Sequence, residues 1–312
     1  MTEVNQYSLS QFLELPVSEI ARLANGLTLA FPIDGTRRWF LLHYPEQWDM
    51  DKYMELSAKR YVELFDMLFD HGIGTILVPA FGAELMSRGE EYVRQMMKGM
   101  SFFANHPVFK DFYRTYDVRL RFYGDWRRQA ARLAGGEELI SILDDCPASH
   151  NSGPRRIFYG LWADDMLVSI ADDLAHSQCD PLEFTRDAII NRYYGEYVGA
   201  TDIYIGFGRP AVFDVPMLVT SQTDLYYTAV PSLELDSRLL RMILWDHLVG
   251  RWTQQEWDHV SDKDLKALKA FYESNHDFVL GLGDVDATTG IWFQRGITPL
   301  DSFRNPFPHS KT

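Results

Sequence analysis

Short apolar runs recur along the chain with little internal polar alternation: Leu27–Ile33, Thr75–Phe81, Val118–Tyr123, Arg156–Leu161, Asp202–Phe207 and Leu225–Val230. Runs of that length and composition suit strands buried on both faces, the pattern of a parallel sheet covered on each side. Between them lie stretches of helical spacing, roughly 50–70, 84–104, 106–116, 163–177, 182–196 and 234–252, the first stopped by His71-Gly72. Strand and helix therefore alternate, which predicts an α/β fold with a central, mostly parallel sheet flanked by helices. The segment Arg132 to Pro154 is richer in Gly, Ser, Asp and Pro and reads as a loop or short excursion. No internal repeat or linker divides the chain, so one catalytic domain is expected over 1–281. A C-terminal extension over 282–312, Pro-rich at its end, should lie on the surface or fray.

The chain has 312 residues, 46% of them hydrophobic, enough for a substantial core. A formal charge of −14 argues against nucleic acid or an anionic membrane surface as partner, because those need basic stripes. Any anionic substrate must then meet a local cluster of positive charge. Cys146 and Cys179 stand far apart, in neither a disulfide framework nor a thiolate metal site. With no secretory leader pattern and no run approaching the ~18 apolar residues of a membrane span, a cytoplasmic protein without a stable membrane anchor is expected. The 20 Phe, 16 Tyr and 8 Trp fit either an aromatic core or an apolar cavity lining, and composition favours the core.

One loop stands out. The first expected strand runs directly into Asp34-Gly35-Thr36-Arg37-Arg38-Trp39, and ligands of open α/β sheets bind beyond the carboxyl ends of strands. Gly35 permits close backbone approach to an anion, Thr36 adds a hydroxyl, and Arg37 and Arg38 can make charge-assisted bonds to phosphate oxygens. Taken as an isolated string, the same residues also suit an exposed polar turn capped by Asp34.

The surrounding run Phe31-Pro32-Ile33-Asp34-Gly35-Thr36-Arg37-Arg38-Trp39-Phe40 resembles the tuberculosinol synthase family of diterpene synthases, built on the cis-prenyltransferase fold. Further ordered matches are Met67-Leu68-Phe69-Asp70-His71-Gly72-Ile73, Phe122-Tyr123-Gly124-Asp125, Tyr193-Tyr194-Gly195-Glu196-Tyr197-Val198, Ile205-Gly206-Phe207-Gly208-Arg209, Phe213-Asp214 and Gly290-Ile291-Trp292-Phe293. The resemblance implies an enzyme that ionises a bicyclic diterpenyl diphosphate, of kolavenyl or halimadienyl (tuberculosinyl) type, supplied by a class II diterpene cyclase. Water would capture the allylic cation to give an alcohol. It implies catalytic roles for Asp34 and Tyr53, the latter if two extra residues precede it here, and diphosphate binding by Gly35, Thr36, Arg37, Arg38 and Arg209. A hydrophobic tunnel would be walled by Leu85, Tyr92, Met96, Met100 and Phe103, which taken alone read as an ordinary core stripe. The fold is generally homodimeric.

Chain-elongating cis-prenyltransferases carry an Arg-Thr-Gly/Ser-Gly-Glu-x-Arg segment that helps hold magnesium and the second substrate. Here the corresponding stretch is Gly206-Phe207-Gly208-Arg209-Pro210-Ala211, without the glutamate. Elongation is therefore not expected, Asp34 is the one residue placed to hold Mg2+, and only partial magnesium dependence is anticipated. Two other readings are a prenyl transferase using adenosine or another nucleophile, and a non-catalytic partner subunit, against which the retained Asp34 and paired arginines speak. The acidic pairs Asp144-Asp145, Asp164-Asp165 and Asp172-Asp173 form no DDxxD run, and Asp284-Val285-Asp286 is no DxDD site; all suit solvated faces and turns.

Overall fold

Apolar residues at successive positions of the central strands leave no polar face, and the chain covers both sides of the sheet there. A computed structural model of the chain describes residues 7–45, 48–176, 185–251, 261–287 and 291–294. Two short helices, α1 (Leu9–Leu13) and α2 (Val17–Leu23), lead into β1 (Leu27–Ala30), followed by α3 (Thr36–His43) and α4 (Met50–Asp70). Next come β2 (Ile73–Phe81), α5 (Glu90–Asn105), α6 (Pro107–Tyr116), β3 (Arg119–Tyr123), α7 (Trp126–Ala130), α8 (Gly136–Asp144) and β4 (Arg156–Leu161). The chain continues through α9 (Met166–His176), α10 (Arg186–Tyr194), β5 (Ile203–Phe207), β6 (Asp224–Thr228), α11 (Ser237–Trp245) and α12 (Asp262–Ser274). The strands form one parallel sheet in the order β3-β4-β2-β1-β5-β6, and β7 (Gly283–Val285) pairs antiparallel with β8 (Trp292–Gln294).

The period-2 alternation of strand side chains separates two cores. Leu29, Ile76, Val78, Ile157 and Tyr159 join the larger one, under α4, α5 and α6. Ala30, Leu77, Phe158 and Tyr204, one position out of phase, join Tyr194 and Ile190 of α10 on the opposite face. No helix among the described residues is long and apolar enough to cross a membrane.

All six expected strands are present, with local corrections. The ladder of β1 stops at Ala30 instead of Ile33, because Pro32 has no N–H to donate; Phe31 and Ile33 still donate to Leu77 and Pro79 at 2.7 and 2.9 Å. The helix expected over 84–104 is broken at Gly89, whose φ is 95°, into a 3-10 turn (Ala83–Arg88) and α5. The expected Arg132–Pro154 excursion is instead mostly α8 and a 3-10 turn at Pro147–His150. Leu139 and Leu143, spaced one turn apart, are buried there, and their burial outweighs the turn-rich composition around them. Part of the expected surface tail forms the β7-β8 hairpin, while residues 295–312 lie outside the described residues.

Candidate functional site at the carboxyl end of the first strand

Beyond Ala30 the chain leaves the middle of the sheet, and Gly35 turns it into α3. Gly35 has φ 71°, the left-handed region, and an added Cβ would sit 2.8 Å from the Arg38 Nη2, 3.0 Å from Pro231 Cβ and 3.2 Å from Pro231 Cα. Glycine is thus required twice, by backbone conformation and by close approach. No side chain caps α3, so its first N–H groups are available to an anion on the same side as the positive end of the helix dipole.

The loop is anchored from a distant part of the chain. Ser232 donates its N–H and hydroxyl to the Asp34 carbonyl at 3.0 and 2.8 Å, and its Oγ accepts from the Asp34 N–H at 3.4 Å. Arg60 on α4 in turn holds the Ser232–Glu234 turn by donating to the carbonyls of Leu233 and Leu235 at 2.9 and 3.2 Å. The backbone of Asp34 is therefore fully engaged, while no hydrogen bond or ion pair takes its carboxylate among the described residues.

Tyr53, near the start of α4, is buried, and its hydroxyl lies 2.6 Å from Thr36 Oγ1. Phe40 and Trp48 hold its ring, with centroids at 5.7 and 5.8 Å. Burial pushes the phenol up, outweighing the opposing effects of the Thr36 hydrogen bond and of Arg37, so Tyr53 is a neutral hydroxyl at ordinary pH.

The guanidiniums of Arg37 and Arg88 both lie over the Tyr92 ring, 5.4 and 5.3 Å from its centroid, and Arg88 donates to the Tyr92 hydroxyl at 3.3 Å. Arg37 and Arg38 are exposed and form no ion pair among the described residues. Arg209 follows β5, which pairs with β1, so it emerges at the same end of the sheet. Cations gathered without acidic partners repel one another, and a bound polyanion would relieve that repulsion.

The structure thus brings Asp34, Gly35, Thr36, Arg37, Arg38, Tyr53 and Tyr92 together and sets Arg209 at the neighbouring strand end. Met100 and Phe103 of α5 are buried in the larger core, where Phe103 stacks on Tyr159 at 4.0 Å, whereas Tyr92 and Met96 are half-buried; Met97, not singled out from the sequence, is the more buried neighbour. The Leu85 side chain lies outside the described residues. A cavity of about 860 Å³ opens elsewhere, beside β3 between Trp126, Arg127, Ile170 and Arg192. Sequence reasoning missed Arg88, Ser232, and two hydroxyls on α4, Ser57 and Tyr61, which follow Tyr53 at one-turn intervals on a buried helix face. That spacing was visible, as was a basic residue following the β2 run.

Among the described residues no group of three or more His, Cys, Asp or Glu could hold a metal ion. One carboxylate, Asp34, does fit the way magnesium is commonly bound, through one or two carboxylates together with substrate phosphates.

A parallel sheet flanked by helices, with an Asp-Gly-Thr-Arg-Arg loop at the carboxyl end of a central strand, defines a cis-prenyltransferase-like fold. Lavandulyl diphosphate synthase from Lavandula x intermedia, solved with dimethylallyl diphosphate, superposes with a TM-score of 0.55 at 14% identity, covering 73% of this chain and 96% of that one. No protein-family model matches the chain. Tuberculosinyl adenosine transferase of Mycobacterium tuberculosis is 36% identical over 94% of this chain and all of its own length, and the chain belongs to that family. The (+)-kolavelool synthase of Herpetosiphon aurantiacus is 22% identical over 88% of this chain and 92% of its own. The protein is accordingly a prenyl-diphosphate-processing enzyme of diterpene metabolism.

Proposed function

We infer that this enzyme ionises a bicyclic diterpenyl diphosphate and captures the allylic cation with water, yielding a diterpene alcohol and diphosphate. The observation that carries this reading is the Asp34 carboxylate, unengaged among the described residues, standing in a loop whose arginines have no acidic partners among them. Arg37 and Arg38, joined by Arg88 and Arg209 and by the N–H groups opening α3, hold the diphosphate and neutralise the charge that grows on it as the C–O bond breaks. The electron pair leaves with the diphosphate. A water oxygen then bonds to the cationic carbon, and Asp34 accepts the proton it sheds. The neutral Tyr53, oriented by Thr36, donates toward the leaving group. Asp34 together with diphosphate oxygens would hold magnesium, which when bound supplies further charge neutralisation. The apolar stripe of Tyr92, Met96, Met100 and Phe103, with Leu85 before it, would give the hydrocarbon a dry wall that delays quenching of the cation.

A second reading is transfer of the diterpenyl group to adenosine, favoured by the 36% identity to tuberculosinyl adenosine transferase. The two readings share ionisation and differ only in the nucleophile. Incubation with kolavenyl and halimadienyl diphosphates, with and without adenosine, followed by mass spectrometry, separates them: alcohol in both arms supports water capture, and an adenosine adduct supports transfer. Release of no diphosphate from either substrate sinks both and leaves the role of a non-catalytic partner. The class II cyclase as supplier and the homodimeric state belong to the same proposal; a strict monomer in sedimentation at micromolar concentration removes the latter.

A further inference from the structure

The buried face of α4 carries three hydroxyls in register, Tyr53, Ser57 and Tyr61, each one turn after the last. Tyr53 is bonded to Thr36. The Ser57 Oγ and the Tyr61 hydroxyl are both buried, on residues 7% and 4% exposed, and neither has a hydrogen-bond partner among the described residues. A serine inside a helix ordinarily bonds back to the carbonyl four residues earlier, yet Ser57 does not.

The hydroxyl hydrogens of Ser232, Tyr113 and Tyr159 around Tyr61 are committed elsewhere. Ser232 gives its hydroxyl hydrogen to the Asp34 carbonyl, and its oxygen lies near enough to the Tyr61 phenol to favour the ionised form slightly, without a well-formed hydrogen bond. Tyr113 donates to the Phe103 carbonyl at 2.9 Å, so in its 3.2 Å contact with Tyr159 the Tyr159 hydroxyl is the donor. Long side chains on a helix lean toward its N-terminus, which carries the Tyr61 ring back over the Ser57 turn and toward the Asp34 loop. The negative charge of Asp34 is felt at the Tyr61 phenol, as is the nearby Tyr53.

A buried polar group without a well-formed bond is costly, and two at adjacent turns, the second facing the Ser232–Asp34 contact, describe a built polar niche. We propose that Ser57 and Tyr61 position the nucleophilic water of the reaction, holding its oxygen between their hydroxyls and the Asp34 carboxylate. This rests on the water-capture reading above. Three polar partners are what a buried water ordinarily takes. Burial raises the Tyr61 phenol well above its ordinary value, so it stays protonated and orients the water while Asp34 takes the proton. The step balances: the allylic C–O bond breaks with its electron pair leaving on diphosphate, a new C–O bond forms from the water lone pair, and one proton passes to Asp34. Where no water is held, the same cation closes by losing a proton from an adjacent carbon, and an olefin forms.

The test is the product ratio rather than the rate. Tyr61→Phe, Ser57→Ala, the double variant and Ser57→Thr would be given the bicyclic diterpenyl diphosphate that the wild-type enzyme turns over, and alcohol and olefin quantified against diphosphate released. The double variant is expected to lower the alcohol-to-olefin ratio at least tenfold, with Ser57→Thr restoring most of it; an unchanged ratio in the double variant overturns the proposal. Thermal unfolding without substrate is the second reading. Removing unpartnered hydroxyls should leave the Tm unchanged or raise it, whereas a clear fall in both single variants would mark them as structural and also overturn the proposal. A wild-type enzyme inert toward every such diphosphate would refute the proposed function instead, and the unfolding measurement would still decide whether the hydroxyls are structural.

Discussion

Gly35→Ala couples the fold of the loop to its anion chemistry and can be worked out from distances. The left-handed φ of 71° costs an alanine about 1–2 kcal/mol. Its Cβ at 3.0 and 3.2 Å from Pro231 forces a shift of a few tenths of an ångström, which adds about 1 kcal/mol in a packed setting. At about 2–4 °C per kcal/mol, the Tm should fall by roughly 4–12 °C. The third contact, 2.8 Å to the Arg38 Nη2, is with the far end of a flexible side chain, so the guanidinium swings away instead of resisting. Losing one charge-assisted bond to phosphate costs about 1.5–3 kcal/mol, or about 10- to 150-fold in Kd. Titration calorimetry with inorganic diphosphate measures that loss without any assumption about the terpene. Arg38→Ala is the control: a similar weakening without the fall in Tm. If Gly35→Ala bound diphosphate as the wild type does while Arg38→Ala did not, the placement of Arg38 over Gly35 would have no bearing on the anion site.

Other expectations follow from the same geometry. Asp34→Asn nearly keeps shape and removes the proton acceptor, so steady-state kinetics should show kcat falling about 100-fold or more with KM little changed; a raised KM with intact kcat would make Asp34 a loop-shaping residue. Chelation by EDTA should reduce turnover only in part, because arginines carry most of the neutralisation, and complete loss restored by magnesium would refute that. His71, at the end of α4, is buried; its Nδ1 lies 2.8 Å from the Met67 carbonyl, and its Nε2 meets Ser237 and Arg241 at 3.1 and 3.3 Å. Burial lowers its affinity for a proton relative to the unfolded chain. Its contribution to stability is therefore complete above about pH 6.5 and is lost as pH falls below that toward the folded value. Urea midpoints measured across this range should slope downward with acid in the wild type and less so in His71→Gln, and equal slopes would show that His71 does not titrate between the two states. Gly72→Ala, with φ 96° and an added Cβ 2.5 Å from the Ala21 carbonyl oxygen, should destabilise by about 2 kcal/mol or more; an unshifted urea midpoint would contradict this.

Local chemistry wrote much of this protein legibly. The four central strands announce themselves because a parallel sheet buries both faces there and so needs nearly unbroken apolar runs, whereas the edge strands β3 and β6 carry polar residues and are only partly buried. The Asp34–Arg38 loop is legible because a glycine, a hydroxyl and two adjacent arginines directly after a strand have few uses. Even Ser57 and Tyr61 were readable as polar residues on the apolar face of the 50–70 helix, since helical spacing decides which positions share a face. Other features depend on residues far apart in the chain. That Asp34 is fastened by Ser232, 198 positions away, could not be inferred, because a serine in a turn looks the same whether its hydroxyl meets solvent or a carbonyl. Arg88 joins Arg37 over Tyr92 only because Gly89 breaks the expected helix and the 3-10 turn after β2 lies beside α3's loop. Most of all, which hydroxyls lack a well-formed bond is a property of the assembled interior: partners for Tyr53, Tyr113 and Tyr159 are supplied by other elements, and Ser57 and Tyr61 are left without one among the described residues.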